Sequence, residues 1–207
     1  MKLYYSPGAC SLAPHIVARE ARIALDFERV DIATKRTERG ADFLQVNAKG
    51  NVPVLELNDG ERLTEVPAIA QYLADLKPES GLAPLNGSMA RYRLQEWLGF
   101  INSDLHKTYS PLFNPATPES VRLDRKAVLL NHYVMLESRL GTQPWLLGDR
   151  FSAADAYLFT VTNWASHVKL DISGLTAIAA FQQRVAGRAA VQEALQAEGL
   201  LYARRDD

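Results

Sequence analysis

Leu3-Tyr4-Tyr5-Ser6-Pro7-Gly8-Ala9-Cys10-Ser11-Leu12-Ala13-Pro14-His15 is the stretch from which the fold is read. Leu3 to Tyr5 reads as a short strand. Ser6-Pro7-Gly8 breaks it, because Pro fixes φ and Gly accepts positive φ. Leu12, Ile16 and Val17 then recur at helical spacing, with Pro14 in a first turn where its missing N–H has no intrahelical partner to lose. Cys10, the single cysteine of the chain, therefore falls at a strand–turn–helix junction. Free N–H groups and the positive end of a helix dipole there favour a thiolate, which marks Cys10 as a functional thiol rather than a small buried hydrophobe. Ser11 serves either as an N-cap or as a hydroxyl aimed at a bound group. Tyr5 reads as core.

Outward from this junction, Phe27 to Ile32 alternates apolar and polar residues as a half-buried strand does. The polar segment Thr34 to Gly40 carries Lys35 and Arg36, and a short helix around Phe43, Leu44 and Val46 stops at Asn47-Ala48-Lys49-Gly50. Asn51-Val52-Pro53-Val54-Leu55 begins the next strand, with Val52-Pro53 a candidate cis bond whose flanking backbone can pair with an extended peptide-like ligand. Asp59-Gly60 signals a hairpin, and Glu65-Val66-Pro67 starts a helix whose free N–H groups favour an anion. The order βαβαββα over residues 1–78 is a thioredoxin-like α/β layout.

Residues 79–87, rich in Pro, Gly, Ser and Asn, read as a linker, and residues 88–207 as an all-α domain. Helices are expected over Ser88–Lys107, Glu119–Leu140, Ala156–Val168, Ala177–Val185 and Val191–Glu198. Ser152-Ala153-Ala154-Asp155 is a capping box ahead of a helix apolar on every face, expected at the centre of this domain. Gly99, Ser103 and His106 lie on one helical face, at offsets of four and three, so Ser103, Asp104 and His106 are expected to border a cleft above Cys10.

The 207 residues carry 23 basic and 24 acidic side chains, a balance that argues against nucleic acid and anionic membrane surfaces as partners. No apolar run approaches membrane-spanning length, and the early Pro-Gly break is unlike a signal peptide, so a cytoplasmic location is expected. His15, His106, His132 and His167 lack metal-ligand spacing, and no metal is expected.

Taken together, Tyr5 to Leu12, Asn51 to Leu55, Leu63-Thr64-Glu65, Glu96-Trp97-Leu98, Asp104-Leu105-His106-Lys107 and Phe151 to Phe159 resemble the bacterial beta class of cytosolic glutathione S-transferases, in order and nearly end to end. The resemblance implies a glutathione-binding first domain, an all-α domain supplying most of the second-substrate pocket, and a homodimer. It implies cis geometry at Val52-Pro53 and pairing of the Val52 backbone with the cysteinyl part of glutathione. Glu65 and the Val66 N–H would hold the γ-glutamyl end and Lys35 the glycyl carboxylate, with Ser11, Asn51 and Pro53 also among the glutathione-binding residues. Cys10 would sit beside the glutathione sulfur, able to form a mixed disulfide, and His106 would complete the catalytic pair. Ser103 and Asp104 would finish the site, with Asp104 reaching toward the partner subunit. Two positions depart from the pattern. Val66 is bulkier than the family's usual residue, and Gly99 replaces a common Asn, so a polar contact to the site is either missing or supplied by Asn102.

The implied activity is transfer of the glutathione sulfur to small hydrophobic electrophiles. Phe113, Tyr157, Trp164 and His167 are candidates for their pocket. Reductive dehalogenation, one-thiol disulfide oxidoreduction and non-catalytic storage of hydrophobic ligands are the competing readings. The lack of a Cys-x-x-Cys pair counts against a two-thiol oxidoreductase.

Overall fold

The computed structural model describes residues 1–201; the tail of the expected 88–207 domain lies outside them. Five strands form one sheet in the order β3-β2-β1-β4-β5. They are β1 (Lys2–Tyr5), β2 (Asp26–Asp31), β3 (Arg36–Thr37), β4 (Val54–Glu56) and β5 (Arg62–Thr64). β1 runs parallel to β2 and antiparallel to β4, so Leu3 lies between Phe27 and Leu55. β4 and β5 close the hairpin that Asp59-Gly60 announces.

Side chains alternate across a strand, and here both faces are covered. Leu55 packs with Leu12 and Ile16 of α1 (Leu12–Glu20) and Ile69 and Leu73 of α2 (Val66–Asp75). Its neighbour Val54 joins Tyr4, Val30, Phe43 and Val52 in a smaller cluster on the opposite face. The helix expected near Phe43 is a single 3-10 turn, Phe43–Gln45, because Asn47 and Gly50 stop it at once. The polar segment before it folds back as β3, a strand that periodicity did not reveal since only two residues pair.

The helical part begins with α3 (Met89–Phe100). The helix expected to run unbroken to Lys107 instead winds as a π-helix over Ile101–His106 before α4 (Lys107–Tyr109). α5 (Glu119–Thr142), α6 (Ala153–Thr162), α7 (Trp164–His167), α8 (Thr176–Ala186) and α9 (Ala189–Ala197) follow. Every residue of α6 is buried, as its all-round apolar sequence requires. Its capping box forms: Asp155 accepts from the Ser152 N–H and hydroxyl at 2.9 and 2.7 Å and from the Leu146 N–H at 2.9 Å.

A single large core runs from α1 and α2 into α3, α5, α6, α8 and α9, so the sheet unit and the helical unit are packed as one body. Two charged clamps reinforce the seam. Buried Arg91 of α3 grips Asp75 with two nitrogens and reaches Gln71 and the Pro84 carbonyl. Arg188, ahead of α9, forks onto Glu20 at the end of α1.

Candidate active site

A cleft of about 1190 Å³ opens between the sheet unit and the helices. Its sheet-side wall holds Cys10, Asn51, Val52, Pro53, Glu65 and Val66, and its helical wall holds Asn102, His106, Lys107, Phe113, Trp164 and His167. Most of the residues that the sequence assigns to a site thus meet in one place.

Three local structures bring the sheet-side wall together. The Val52-Pro53 bond is cis. Glu65, at the head of α2, has φ 73° and ψ 126°, a conformation that costs a non-glycine residue of order 1–3 kcal/mol. It sets the first-turn N–H groups of α2, which have no intrahelical acceptor, beside the cleft. The Glu65 carboxylate meets Lys49, whose Nζ lies 2.8 Å away and also reaches Thr64.

Cys10 stands differently from the sequence expectation. Its thiol donates to the Val52 carbonyl at 3.2 Å. Burial pushes its pKa up to about 12, and this outweighs the N–H groups of Cys10 and Ser11, which do favour the thiolate. Desolvation of the charged form defeats the helix terminus here, so the free protein holds a neutral thiol. Ser11 is corrected as well. It neither caps α1 nor lines the cleft; its hydroxyl donates to the Ser6 carbonyl and accepts the Ser6 N–H, pinning the Ser6–Ser11 turn.

The preceding loop is held by residues far away in sequence. Glu198 Oε2 accepts the Gly8 N–H at 2.9 Å, and Trp164 Nε1 donates to the Gly8 carbonyl at 2.8 Å. The other Glu198 oxygen meets Nδ1 of His15, a buried pair at 2.9 Å. Neither Glu198 nor Gly8 carried a signal of this role beyond lying at a helix end and in a turn.

On the helical wall, the π-turn decides which side chains face inward. A wider turn keeps fourth neighbours together and moves third neighbours apart. Asn102 and His106 both line the cleft, whereas Ser103 does not share their face and Asp104 does not line the cleft. Ser103 instead bonds the Gly99 carbonyl and the Asp104 carboxylate. Asn102 lines the cleft, whereas Gly99 does not. His106 Nδ1 lies 2.6 Å from the Tyr157 hydroxyl, and its ring meets Trp164 edge-on. Burial, aided by Lys107, lowers the His106 pKa to about 4, so the ring is neutral.

Lys35 is not a lining residue; its Nζ donates to the Gly50 carbonyl at 2.7 Å. The lysines that do line the cleft are Lys49 and Lys107, to which the sequence reading assigned no separate binding role. Of the pocket candidates, Phe113, Trp164 and His167 line the cleft, and Tyr157 is buried behind His106. Among the described residues no cluster of His, Cys, Asp and Glu is arranged to hold a metal, and no helix is long and apolar enough to cross a membrane.

Family models match both parts of the chain: the glutathione S-transferase N-terminal domain over residues 8–76 and the C-terminal domain over residues 100–189. Glutathione S-transferase GstA of Escherichia coli O157:H7 is 51% identical over 97% of this chain and 100% of its own length. A sphingomonad glutathione S-transferase solved in complex with glutathione superposes with TM-score 0.94 at 46% identity, covering 97% of this chain and 100% of that one. The ternary complex of BphK, a bacterial enzyme of this kind, superposes with TM-score 0.95 at 52% identity over the same shares. A beta-class transferase of Sphingomonas chungbukensis matches at TM-score 0.94 and 46% identity. With its sheet unit, its helical unit and the cleft between them, the chain belongs to the bacterial beta-class glutathione S-transferases.

Proposed function

We propose that the cleft binds reduced glutathione in extended form and transfers its sulfur to small hydrophobic electrophiles. The observation that carries this reading is the meeting, in one cleft, of the Val52 strand edge, the start of α2 at Val66, and Cys10 and His106 on the two walls. Val52 offers its backbone to the cysteinyl unit, as an added strand would pair. Glu65 meets the γ-glutamyl ammonium and the Val66 N–H its carboxylate. Asn51 borders the glycyl end. Lys35 reaches that end by leaving the Gly50 carbonyl, only one residue away in sequence.

The chemistry follows. The glutathione thiol gives its proton to neutral His106, and the thiolate stays beside the N–H groups of Cys10 and Ser11. An imidazolium gains from that adjacent negative charge, which offsets the low basicity of the buried ring. The sulfur lone pair attacks the electrophilic carbon, a thioether forms, and the leaving group departs with the bonding electrons. Phe113 and Trp164 shelter the apolar part of the electrophile.

Cys10 sits beside the glutathione sulfur in this reading, and a mixed disulfide is within its reach. Its neutral, hydrogen-bonded thiol favours conjugation over a mechanism that needs Cys10 as the attacking thiolate. Conjugation of glutathione to a chlorinated dinitrobenzene is expected to persist in Cys10→Ala within about tenfold of wild type. Loss of conjugation in that variant, with glutathione binding intact, places the chemistry on Cys10 and favours the oxidoreductase or dehalogenase readings. Ligand binding without turnover in the wild type favours the carrier.

The protein is proposed to act as a cytoplasmic homodimer divided at residues 1–78, 79–87 and 88–207. Met89 and Tyr92 of α3 are exposed and continue through Glu96 and Gly99 to Ser103 at alternating three- and four-residue spacing. Space at Gly99 is open, with no atom within 4 Å of where a Cβ would stand. A second copy on this stripe brings Ser103 and Asp104 toward the partner's cleft, which is the role proposed for them.

A further inference from the structure

We propose that Tyr157 is a positioning residue that sets the tautomer of His106 and so presents its Nε2 lone pair to the cleft. Tyr157 lies in the fully buried α6 and is itself 0% exposed, so its hydroxyl must find partners inside the protein. It has two: Oδ1 of Asn102 at 3.0 Å and Nδ1 of His106 at 2.6 Å.

With Oδ1 as the Asn102 atom facing the phenol, proton counting gives the direction of each bond. The phenol has one hydrogen, and a carbonyl oxygen such as Asn102 Oδ1 can only accept. The phenol proton therefore points at Asn102. Toward His106 the hydroxyl is an acceptor, so the imidazole proton sits on Nδ1 and Nε2 is left with its lone pair. Because the ring lines the cleft and Tyr157 does not, the Nδ1 edge is anchored inward and the opposite edge faces the ligand. The edge-on contact with Trp164, centroids 4.9 Å apart, holds the ring plane. Asn102 and His106, four residues apart on the π-turn, both reach the one phenol.

The consequence for catalysis rests on the reading of this cleft as a glutathione site. A thiol bound there meets an acceptor nitrogen in wild type. In the opposite tautomer it would meet an N–H and could not hand over its proton. Tyr157 touches neither substrate nor reacting atoms; it acts through His106.

The test is long-range nitrogen–proton NMR of the His106 ring, first without glutathione, on wild type, Tyr157→Phe and Asn102→Ala, with kcat, KM and calorimetric glutathione binding on the same samples. Wild type is expected to show the Nδ1–H tautomer. Tyr157→Phe should lose that preference, with kcat falling about tenfold or more and KM for glutathione within about twofold. Asn102→Ala removes the acceptor, so the phenol turns its proton to His106 and the Nε2–H form becomes the major one. An Nε2–H tautomer in wild type overturns the proposal, as does an unchanged tautomer in Asn102→Ala, a variant that leaves buried Tyr157 in place should Tyr157→Phe fail to fold. The tautomer is read without ligand, so absence of glutathione binding by wild type would sink the functional reading while leaving the positioning claim separately decided.

Discussion

The Glu198 carboxylate accepts the Gly8 N–H at 2.9 Å, joining the residue after α9 to the loop that delivers Cys10. One side chain thus ties the far end of the helical unit to the Cys10 turn, and its second oxygen secures His15 on α1. Replacing Glu198 by Ala leaves the half-buried Gly8 N–H and the buried His15 ring without this partner, each loss costing about 1–3 kcal/mol. Equilibrium urea unfolding should show Glu198→Ala less stable by about 3 kcal/mol, and Glu198→Gln less affected because an amide oxygen still accepts. Equal stability of Glu198→Ala and wild type would mean that the loop is held by Trp164 alone.

Cys10 should be a slow thiol in the ligand-free protein. With its pKa pushed up to about 12, little thiolate exists near neutrality. Alkylation by iodoacetamide at pH 7.5 is expected about a hundredfold slower than that of free glutathione, after allowing for the greater nucleophilicity of a more basic thiolate. The rate should climb through pH 10. A plateau below pH 8 would show instead that the N–H groups of Cys10 and Ser11 outweigh burial.

The low pKa of His106 carries a sign for stability. Its folded value, about 4, lies below the ordinary histidine value of about 6.5. Between these two the unfolded chain binds more protons, so this group's contribution is present above pH 6.5 and is lost as pH falls toward 4. Asp155 acts oppositely over part of the range: burial raises its carboxyl to about 6, so its share of stability falls as pH rises from about 4 to 6. The difference between wild type and His106→Gln isolates the histidine. That difference in unfolding free energy should grow in favour of wild type from pH 4 to 6.5, and a flat difference would contradict the assignment.

Asp155 also holds three donors, from Leu146 and Ser152, at the start of the most buried helix. Asp155→Ala is expected to cost about 3 kcal/mol through the lost cap and the unpaired groups. Thermal unfolding checks it, and a cost under about 0.5 kcal/mol would show that water replaces the carboxylate.

What could be read from the sequence was what local rules govern. The strand–turn–helix at Leu3 to His15, the Asp59-Gly60 hairpin and the Ser152–Asp155 box each declare themselves within a few residues, whereas the cis bond at Val52-Pro53 was locally only a candidate and came from the family resemblance. What escaped was set by tertiary contact. Glu198 reaches Gly8 across most of the chain, and no spacing rule links them. Ser11 had the right residue type for a cap, yet the Ser6 backbone competes for its hydroxyl. Helical periodicity placed Ser103 beside His106, and one π-turn, invisible to a fixed 3.6-residue period, turned Ser103 away and left Asn102 as the neighbour on that face. The thiol's pKa turned on how much water the fold removes, which composition does not record.

The central claim, that this cleft is a glutathione site, is tested most directly by calorimetric titration of the purified protein with reduced glutathione, repeated on Glu65→Ala and Cys10→Ala. Binding with Kd between about 1 μM and 1 mM (roughly 4–8 kcal/mol), abolished by Glu65→Ala and only weakened by Cys10→Ala, is the expected result. No heat of binding in wild type at millimolar glutathione, or full binding in Glu65→Ala, would contradict it.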